Sequence, residues 1–448
     1  MKQKLINRLV PLLKTSILSP SIPDKDNIGM AFSFKDMGGF TLSHEEAKAF
    51  REAVEILSKA FPKVGFKTCG NELSRFCCRF IPQLQQGIVD IPIGQEIPSL
   101  LTLLESLQKH RTVVYVQVCG FELRLPQWEF GSAVFMHGNH DEIEKTRMSV
   151  KGAGGKNPNP LAPDAIVVRM ELNGHADYAL MHVRERVEEI LDVLQFLTIS
   201  KNRGAFEDTV SGFSFYACEP IPILQTPVWC YCPDTLTWTA ASGMGAPPIL
   251  QAGPVKCVLD DRTKDWFRPF AGDQLSEMLL DNCSFAFDQG LMTAISWIAN
   301  GIRERNNARK YLGFFIALEA LFSPDEYGSW DPNTFSKTIV PLDEGVAFLL
   351  GQDYEHRIKI VNIMRGLKKK RNLIVHRGFM DVDKEALVQL ATYTWNCCKV
   401  AALRRNNFEK ENSFRDFILN LKYGGRNMPI ELDKNSQQRE KPTEVSQR

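Results

Sequence analysis

The sequence predicts an α+β chain of two parts, in which a mixed α/β N-terminal region precedes an all-α helical bundle. Most of the prolines and the short strand-like runs lie before about residue 260. From about Trp266 onward the apolar residues recur at three- and four-residue spacing, which is typical of helices. A length of 448 residues also fits two or three domains. We therefore divide the chain into residues 1–260, residues 262–425 and a flexible tail of residues 426–448, which is poor in large apolar residues.

In residues 1–260, three short strand-like runs predict strands. These runs are Val113–Val118, Phe121–Leu125 and Ala165–Leu172, the last of which ends at the turn pair Asn173-Gly174. Helical periodicity covers Ser43–Phe61 and Val183–Ile199, and Lys151–Pro160 has the composition of a loop. The mixture predicts an α/β region, to which we assign a sensor or regulatory role.

In residues 262–425, helical periodicity predicts five or six helices. The segments are Leu275–Ile302, Ala308–Phe322, Leu342–Leu350, His356–Leu367, Arg371–Val375 and Lys384–Leu403. Ser323-Pro324 is expected to end the second of them, because proline cannot continue a helix.

Composition excludes several classes of protein. Lys plus Arg exceed Asp plus Glu by 54 to 53, so any affinity for nucleic acid must come from a local basic patch. Eleven cysteines without regular spacing predict reduced, buried thiols and no disulfide framework. No apolar run reaches the roughly 18 residues of a transmembrane helix. The apolar run Leu9–Leu13 is too short for a secretory signal, so we expect a cytoplasmic protein without membrane attachment.

One segment, Arg365–Gly378, contains six Lys or Arg residues and no acid. Within it, Arg371 and His376 enclose four residues, and Asn372 and His376 fall on one face if the segment is helical. An imidazole and a permanent guanidinium are the two groups that metal-free RNA cleavage needs. The imidazole transfers protons, and the guanidinium binds the phosphate oxygens as negative charge accumulates on them.

The spacing alone is weak evidence, because an Arg followed closely by a His occurs by chance about once in a chain of this size. Arg169 and His175 also fit it, at the end of a predicted strand, and we interpret them as structural. Stronger support comes from the apolar segment Tyr311–Phe322, in which Glu319 is the only charged residue. A carboxylate there is expected to be shielded from solvent and to have a hydrogen-bonding or cationic partner.

These segments together resemble the HEPN superfamily, and in particular its Apea-like branch, which is associated with prokaryotic defence. The resemblance depends on Leu318–Phe322, on a middle helix, and on Arg371–Gly378, and it covers about a third of the chain. It implies a HEPN-type helical bundle in which Arg371 and His376 are the catalytic pair, Asn372 is the associated polar residue and Glu319 is the acidic residue. One difference is Arg377, since many relatives continue directly from His to Gly.

The resemblance further implies a homodimer, formed through the helical domain, that cleaves single-stranded RNA without metal or cofactor. The products would be a 2′,3′-cyclic phosphate and a 5′-hydroxyl. The role would be that of a toxin in abortive infection, with the N-terminal region responding to a phage-derived trigger. We expect the exposed cations of the segment to bind the RNA backbone without taking part in the chemistry; these are Lys368, Lys369, Lys370 and Arg377.

Two alternatives remain open from the sequence: a non-catalytic HEPN module that binds RNA or a protein, and a scaffold whose basic segment is only surface. Other motifs are weaker. We interpret His137–Glu142 as a polar loop and not a metal site, and Cys230 and Cys232 as packing residues. Gly152–Lys156 lacks the spacing of a phosphate-binding loop, and Lys201–Arg203 is a short basic turn.

Overall fold

The computed structural model describes residues 2–17, 28–34, 38–80, 83, 93–118, 121–152, 165–199, 228–232, 237–241, 257–280, 286–304, 306–322, 341–378, 381–407 and 413–422. The chain forms two compact units. The N-terminal unit comprises residues 1–188 and 216–260, and the C-terminal unit comprises residues 189–215 and 261–448. The division at residue 260 lies next to the boundary expected from composition, whereas the sequence did not indicate that residues 189–215 group with the C-terminal unit.

Four helices of the N-terminal unit share one apolar core. They are α1 (Lys2–Ile17), α2 (His44–Ala60), α3 (Phe66–Cys78) and α4 (Ile93–Leu107), and the core includes Leu9, Phe50, Leu73 and Leu101. Helix α2 begins at a capping box in which the Glu46 N–H donates to Ser43 Oγ and the Ser43 N–H donates to Glu46 Oε2, at 3.4 and 2.7 Å. These interactions give α2 nearly the bounds that its periodicity predicts.

A six-stranded antiparallel sheet forms the other part of the N-terminal unit, with the strand order β5-β6-β7-β3-β8-β9. Its strands are β3 (Arg111–Val118), β5 (Gln127–Phe130), β6 (Ala133–His137), β7 (Ile166–Asn173), β8 (Val228–Cys232) and β9 (Thr237–Ala241). Ile143 of helix α5 (Asp141–Gly152) packs on Val113, Tyr115 and Val167 of the sheet. Two smaller pairs complete the unit: antiparallel β1 (Ile28–Phe34) with β2 (Gly38–Ser43), and parallel β4 (Phe121–Leu123) with β10 (Cys257–Leu259).

The predicted strands are confirmed in β3, β4 and β7, although β4 is shorter than expected. Helix α6 (Ala176–Ile199) begins seven residues before the predicted Val183, directly after the Asn173-Gly174 turn. Gly174 has φ +141°, and a Cβ there would lie 2.7 Å from the Lys63 carbonyl oxygen, so this turn requires glycine. Of the expected loop Lys151–Pro160, the first two residues belong to helix α5, which ends at Gly152. Residues 153–164 lie outside the described residues.

The regular elements described in the C-terminal unit are all helical. Beyond residues 189–199 they are α7 (Asp261–Phe267), α8 (Gly272–Leu280), α9 (Ala286–Arg303), α10 (Asn307–Phe322), α11 (Leu342–Leu350), α12 (Tyr354–Arg377), α13 (Lys384–Leu403), α14 (Ser413–Lys422) and two short 3-10 turns, Arg268–Phe270 and Arg405–Asn407. The bounds of α11 and α13 are those predicted, and α10 ends at Phe322 as Ser323-Pro324 indicates. The expected tail lies outside the described residues.

Three predictions for this unit are wrong. The structure describes eight α-helices between residues 261 and 422, where five or six were expected, and the expected segment Leu275–Ile302 is described as two helices, α8 and α9, with residues 281–285 outside the described residues.

The third prediction concerns α12. The segments His356–Leu367 and Arg371–Val375 are a single helix, α12, because Lys368–Lys370 interrupt the apolar periodicity without breaking the backbone. The helix is anchored where the Tyr311 hydroxyl of α10 donates to the Leu367 carbonyl at 2.7 Å. The Thr394 hydroxyl of α13 also lies 3.3 Å from the Phe314 carbonyl of α10, but its shorter bond, at 2.8 Å, is to the Leu390 carbonyl of its own helix. The Tyr311 bond lies one turn before Arg371 on α12.

Six cysteines are buried thiols, as the composition indicates: Cys69, Cys77, Cys78, Cys257, Cys397 and Cys398. Among the described helices, none has both the length and the apolar character needed to cross a bilayer.

Candidate functional site

Helix α12 places Arg371, Asn372 and His376 in its last two turns. Asp353 caps the start of the helix, because its side chain accepts the His356 N–H at 2.8 Å, and Gly378 caps the end. Gly378 has φ +64°, and its N–H donates to the Ile374 carbonyl at 3.1 Å, a left-handed ending that favours glycine. His376 therefore lies near the end of a long helix. The prediction of a separate segment, Arg371–Val375, suggested instead a position near the start of a helix.

The two members of the Arg/His pair lie on different faces of α12. Its buried side carries Ile360, Met364, Leu367 and Ile374. Helical geometry places Arg371 on this same side and places Asn372 and His376 on the exposed side. Arg371 and His376 are five residues apart, which corresponds to about 140° around the axis. The helix alone therefore does not bring the two groups together.

Arg371 is held against α10 by Glu319 and Phe315. Its Nη2 donates to Glu319 Oε1 at 3.1 Å, and its guanidinium carbon lies 5.7 Å from the centroid of the Phe315 ring. Nη1 also contacts Asn372 Oδ1, at a long 3.4 Å. The expectation that Glu319 has a cationic partner is confirmed. The expectation that it is shielded is wrong, since its side chain is 40% exposed and that of Arg371 is 29% exposed. The pair thus lies at the surface of the bundle, where a ligand phosphate can approach it.

His376 is exposed, and within the described part of the chain no hydrogen bond or ion pair holds it. The protomer therefore assembles Arg371, Asn372 and Glu319 but leaves His376 separate.

The four cations assigned to RNA binding differ in their surroundings. Lys368, Lys369 and Arg377 are exposed. Lys370 instead forms an ion pair with Asp383, the residue that caps α13 by accepting the Ala386 N–H at 2.7 Å. The hydrogen bond from Lys370, followed by that from Ala386, lowers the pKa of Asp383. Lys370 therefore ties the end of α12 to the start of α13, and its charge is already neutralised.

The other Arg/His pair is engaged within the N-terminal unit. Arg169, on β7, donates to Glu142 Oε1 at 2.5 Å, and the Tyr115 hydroxyl donates to the same oxygen at 3.3 Å. Together these bonds join α5 to the sheet.

His175 follows β7 and connects the sheet to α3. Its Nδ1 lies 3.1 Å from the Thr68 hydroxyl and accepts the Asp177 N–H at 3.3 Å, while Thr68 donates to Asp177 Oδ2. Burial lowers the pKa of His175, and the Asp177 carboxylate opposes that change. Arg169 and His175 thus both hold elements of the N-terminal unit together.

Among the weaker motifs, the two histidines of the His137–Glu142 segment have local contacts. His137 Nε2 lies 3.2 Å from the Leu123 carbonyl, and His140 Nδ1 accepts the Glu142 N–H at 3.3 Å. Cys230 and Cys232 belong to strand β8. Lys156 and Lys201–Arg203 lie outside the described residues. In the described ranges, no three His, Cys, Asp or Glu side chains are close enough together to hold a metal ion.

Sequence reasoning missed Phe315 and Asp383. Phe315 precedes Glu319 by one helical turn, so the i, i+4 rule places both on the same face of α10. Asp383 stands directly before a predicted helix, where aspartate is a common cap. The sequence contains both signals, but neither indicates that Phe315 contacts Arg371 or that Asp383 contacts Lys370.

Comparisons of the chain with protein-family models, with curated proteins and with solved structures found no match.

Proposed function

We propose that the protein is a cytoplasmic, metal-independent endoribonuclease of the HEPN type that cleaves single-stranded RNA. The observation that carries the proposal is the position of Arg371. Glu319 and Phe315 hold its guanidinium at the surface of the helical bundle, and Asn372 and His376 are exposed at the end of the same helix. A pre-oriented guanidinium and an unengaged imidazole are the groups that phosphoryl transfer needs, although on α12 they lie on different faces of the helix.

In the proposed reaction the 2′-hydroxyl oxygen attacks the adjacent phosphorus, and the bond to the 5′ oxygen breaks. A base takes the proton of the 2′-hydroxyl, and an acid protonates the departing 5′ oxygen. The products are a 2′,3′-cyclic phosphate and a 5′-hydroxyl. Arg371 would bind the non-bridging oxygens, where negative charge develops, and His376 would transfer a proton. Glu319 is a positioning residue in this scheme.

The scheme needs a second proton-transfer group. The attacking and departing oxygens lie roughly in line across the phosphorus, so one imidazole does not easily serve both. A homodimer of the C-terminal unit, with two α12 helices related by a two-fold axis, would supply the second His376. Mixing inactive Arg371→Ala and His376→Ala proteins tests this arrangement. We expect partial recovery of activity in the mixture, whereas a strictly monomeric protein that cleaves RNA would contradict the dimer.

A second candidate function is RNA binding without cleavage. It is favoured by the lack of an orienting partner for His376 among the described residues, since catalytic imidazoles are usually held by a further group. The exposed cations near His376 serve binding equally well.

The deciding experiment incubates the full-length protein with single-stranded RNA in excess EDTA. We expect cleavage to persist and the products to resist direct re-ligation until their cyclic ends are opened. His376→Ala should abolish cleavage, whereas His182→Ala, which removes another partly exposed histidine, should not. Binding without cleavage would favour the second candidate. Activity that disappears with the chelator and returns with magnesium would refute the mechanism.

We extend the proposal to abortive infection, in which RNA loss stops the host before phage mature. An unrestrained ribonuclease is toxic, so the N-terminal unit would respond to a phage-derived trigger or restrain the enzyme. Expression of the wild type and of His376→Ala in bacteria, with and without phage challenge, tests this role. Equal growth and equal phage yield for the two proteins would refute it.

A further inference from the structure

The exposed side of α12 carries a continuous row of side chains, here called the α12 stripe. It consists of Tyr354, Ile358, Val361, Arg365, Lys369, Asn372 and His376, of which Val361 is half-buried and the others are exposed. Their spacings of three and four residues place all seven on one helical face. The stripe lies opposite the buried side of the helix and runs from the first residue of α12 to its last turn.

The chemistry of the α12 stripe changes along its length. His376 and Asn372 stand at one end, and two cations, Lys369 and Arg365, occupy the middle. Arg365 forms an ion pair with the carboxylate of Asp343 through Nε, at 3.1 Å, and its side chain is 61% exposed, so Lys369 is the cation of the stripe that pairs with no carboxylate of the described residues. Tyr354 stands at the far end with 77% of its surface exposed. The stripe itself contains no carboxylate.

We infer that the α12 stripe is the path of single-stranded RNA, with Tyr354 as a platform on which an unpaired base stacks. The inference rests on the proposed function, because it takes His376 as the point of cleavage. Tyr354 and His376 are 22 residues apart, or about 33 Å along the axis. A stacked strand advances about 3.4 Å per nucleotide, so the path spans about ten stacked nucleotides and fewer extended ones.

Charge and exposure favour RNA as the occupant over another protein. Cations that follow a backbone, together with an aromatic ring that receives a base, are the usual elements of single-strand binding. A double helix does not offer an unpaired base face to the ring. Ile358 and the half-buried Val361 are the aliphatic residues of the stripe, which is little for a protein–protein interface with an apolar core.

The test compares two RNA probes on the full-length protein. One is a dinucleotide, which has a single phosphodiester and cannot reach Tyr354 from His376. The other is a 12-mer, used in a cleavable form and in a 2′-O-methyl form that lacks the nucleophile and therefore reports binding alone. The variants are Tyr354→Ala, Tyr354→Phe, Lys369→Ala and Lys359→Ala. Lys359 is the matched control, because it is exposed on α12 but lies about 80° away from Lys369.

We expect Tyr354→Ala to weaken binding of the 2′-O-methyl 12-mer about 5- to 150-fold, the effect of losing one stacked base. Tyr354→Phe keeps the ring and should bind like the wild type. Lys369→Ala should weaken binding more than Lys359→Ala. Cleavage of the dinucleotide should not depend on Tyr354.

The possible failures are distinguishable. If the wild type binds the 12-mer in a Tyr354-dependent way but cleaves neither probe, the proposed nuclease fails and the RNA path stands. If Tyr354→Ala binds and cleaves the 12-mer like the wild type, the path is refuted while the nuclease stands. If Tyr354→Ala changes the solution mass of the protein instead, the stripe is a contact between copies of the chain. A wild type that does not bind the 12-mer refutes both.

Discussion

The two Arg/His pairs of this chain have similar spacing but opposite surroundings. In the N-terminal unit, Arg169 bonds Glu142, and His175 is held by Thr68 and Asp177. In the C-terminal unit, Arg371 is held at the surface by Glu319, and His376 is exposed. The polar groups of the first pair form hydrogen bonds between secondary-structure elements. In the second pair, the imidazole of His376 has no hydrogen bond or ion pair within the described residues. The difference shows that spacing identifies candidates, while the partners of each side chain separate structural from chemical roles.

The largest expected effect is on cleavage. Arg371→Ala and His376→Ala should each lower the initial cleavage rate of a single-stranded 12-mer about 10²–10⁴-fold, the usual contribution of a general acid–base group or of a transition-state charge donor. Arg169→Ala and His175→Ala should retain activity when assayed at a temperature where they remain folded. Equal losses in both pairs would mean that the comparison between them is wrong.

The free energy of unfolding should respond in the opposite order, with a larger loss for His175→Ala than for His376→Ala. His175→Ala leaves the Asp177 N–H without its Nδ1 acceptor and should lower the free energy of unfolding by about 1–2 kcal/mol. His376→Ala removes an exposed ring and should change it by less than about 0.5 kcal/mol. The midpoints of urea unfolding of the two full-length variants measure both quantities. A larger loss for His376→Ala would show that the exposed imidazole has a structural role.

A smaller effect concerns pH. Burial lowers the pKa of His175 below its ordinary 6.5; Asp177 and Glu72 oppose the shift and His110 adds to it. The unfolded chain therefore takes up this proton at a higher pH than the folded one. The contribution of His175 to stability is complete above about pH 6.5 and declines as the pH falls toward its folded pKa.

Thermal unfolding at pH 7.5 and pH 5.5 measures this decline. His175→Gln should reduce the loss of stability between the two pH values. An unchanged loss in His175→Gln would assign the pH dependence to other groups.

The smallest expected effect separates the cations at the end of α12. Lys369→Ala should lower the slope of log binding constant against log salt by about 0.7, since it removes one phosphate contact on a single strand, and Lys368→Ala and Arg377→Ala, which lie off the α12 stripe, should lower the slope by no more than that. Lys370→Ala should lower it less, because Asp383 already neutralises that charge. Titrations of the 2′-O-methyl 12-mer at several salt concentrations measure the slopes. An equal slope change for Lys370→Ala and Lys369→Ala would contradict the assignment.

Part of the secondary structure of the chain followed from local patterns. Runs rich in β-branched residues identified β3 and β7, and apolar periodicity identified α11 and α13 to the residue, whereas α1, α3, α4, β5 and β6 were not predicted. The continuity of α12 could not be predicted in the same way. Lys368–Lys370 remove the apolar signal, and the helix persists because its remaining buried residues, with Arg371, pack on neighbouring helices.

The sequence by itself determined that an Arg/His pair, a basic segment and an acidic residue in an apolar helix exist in this chain. Only the tertiary structure decided how each charge is used. Arg169 and Glu142 are 27 residues apart, and Arg371 and Glu319 are 52 residues apart. Contacts over such separations depend on how helices and strands pack, which local spacing does not encode. The same reason explains why Lys369 and Lys370 differ, although they are adjacent in the sequence. Lys370 forms an ion pair with Asp383 at the start of α13, whereas Lys369 is exposed to solvent.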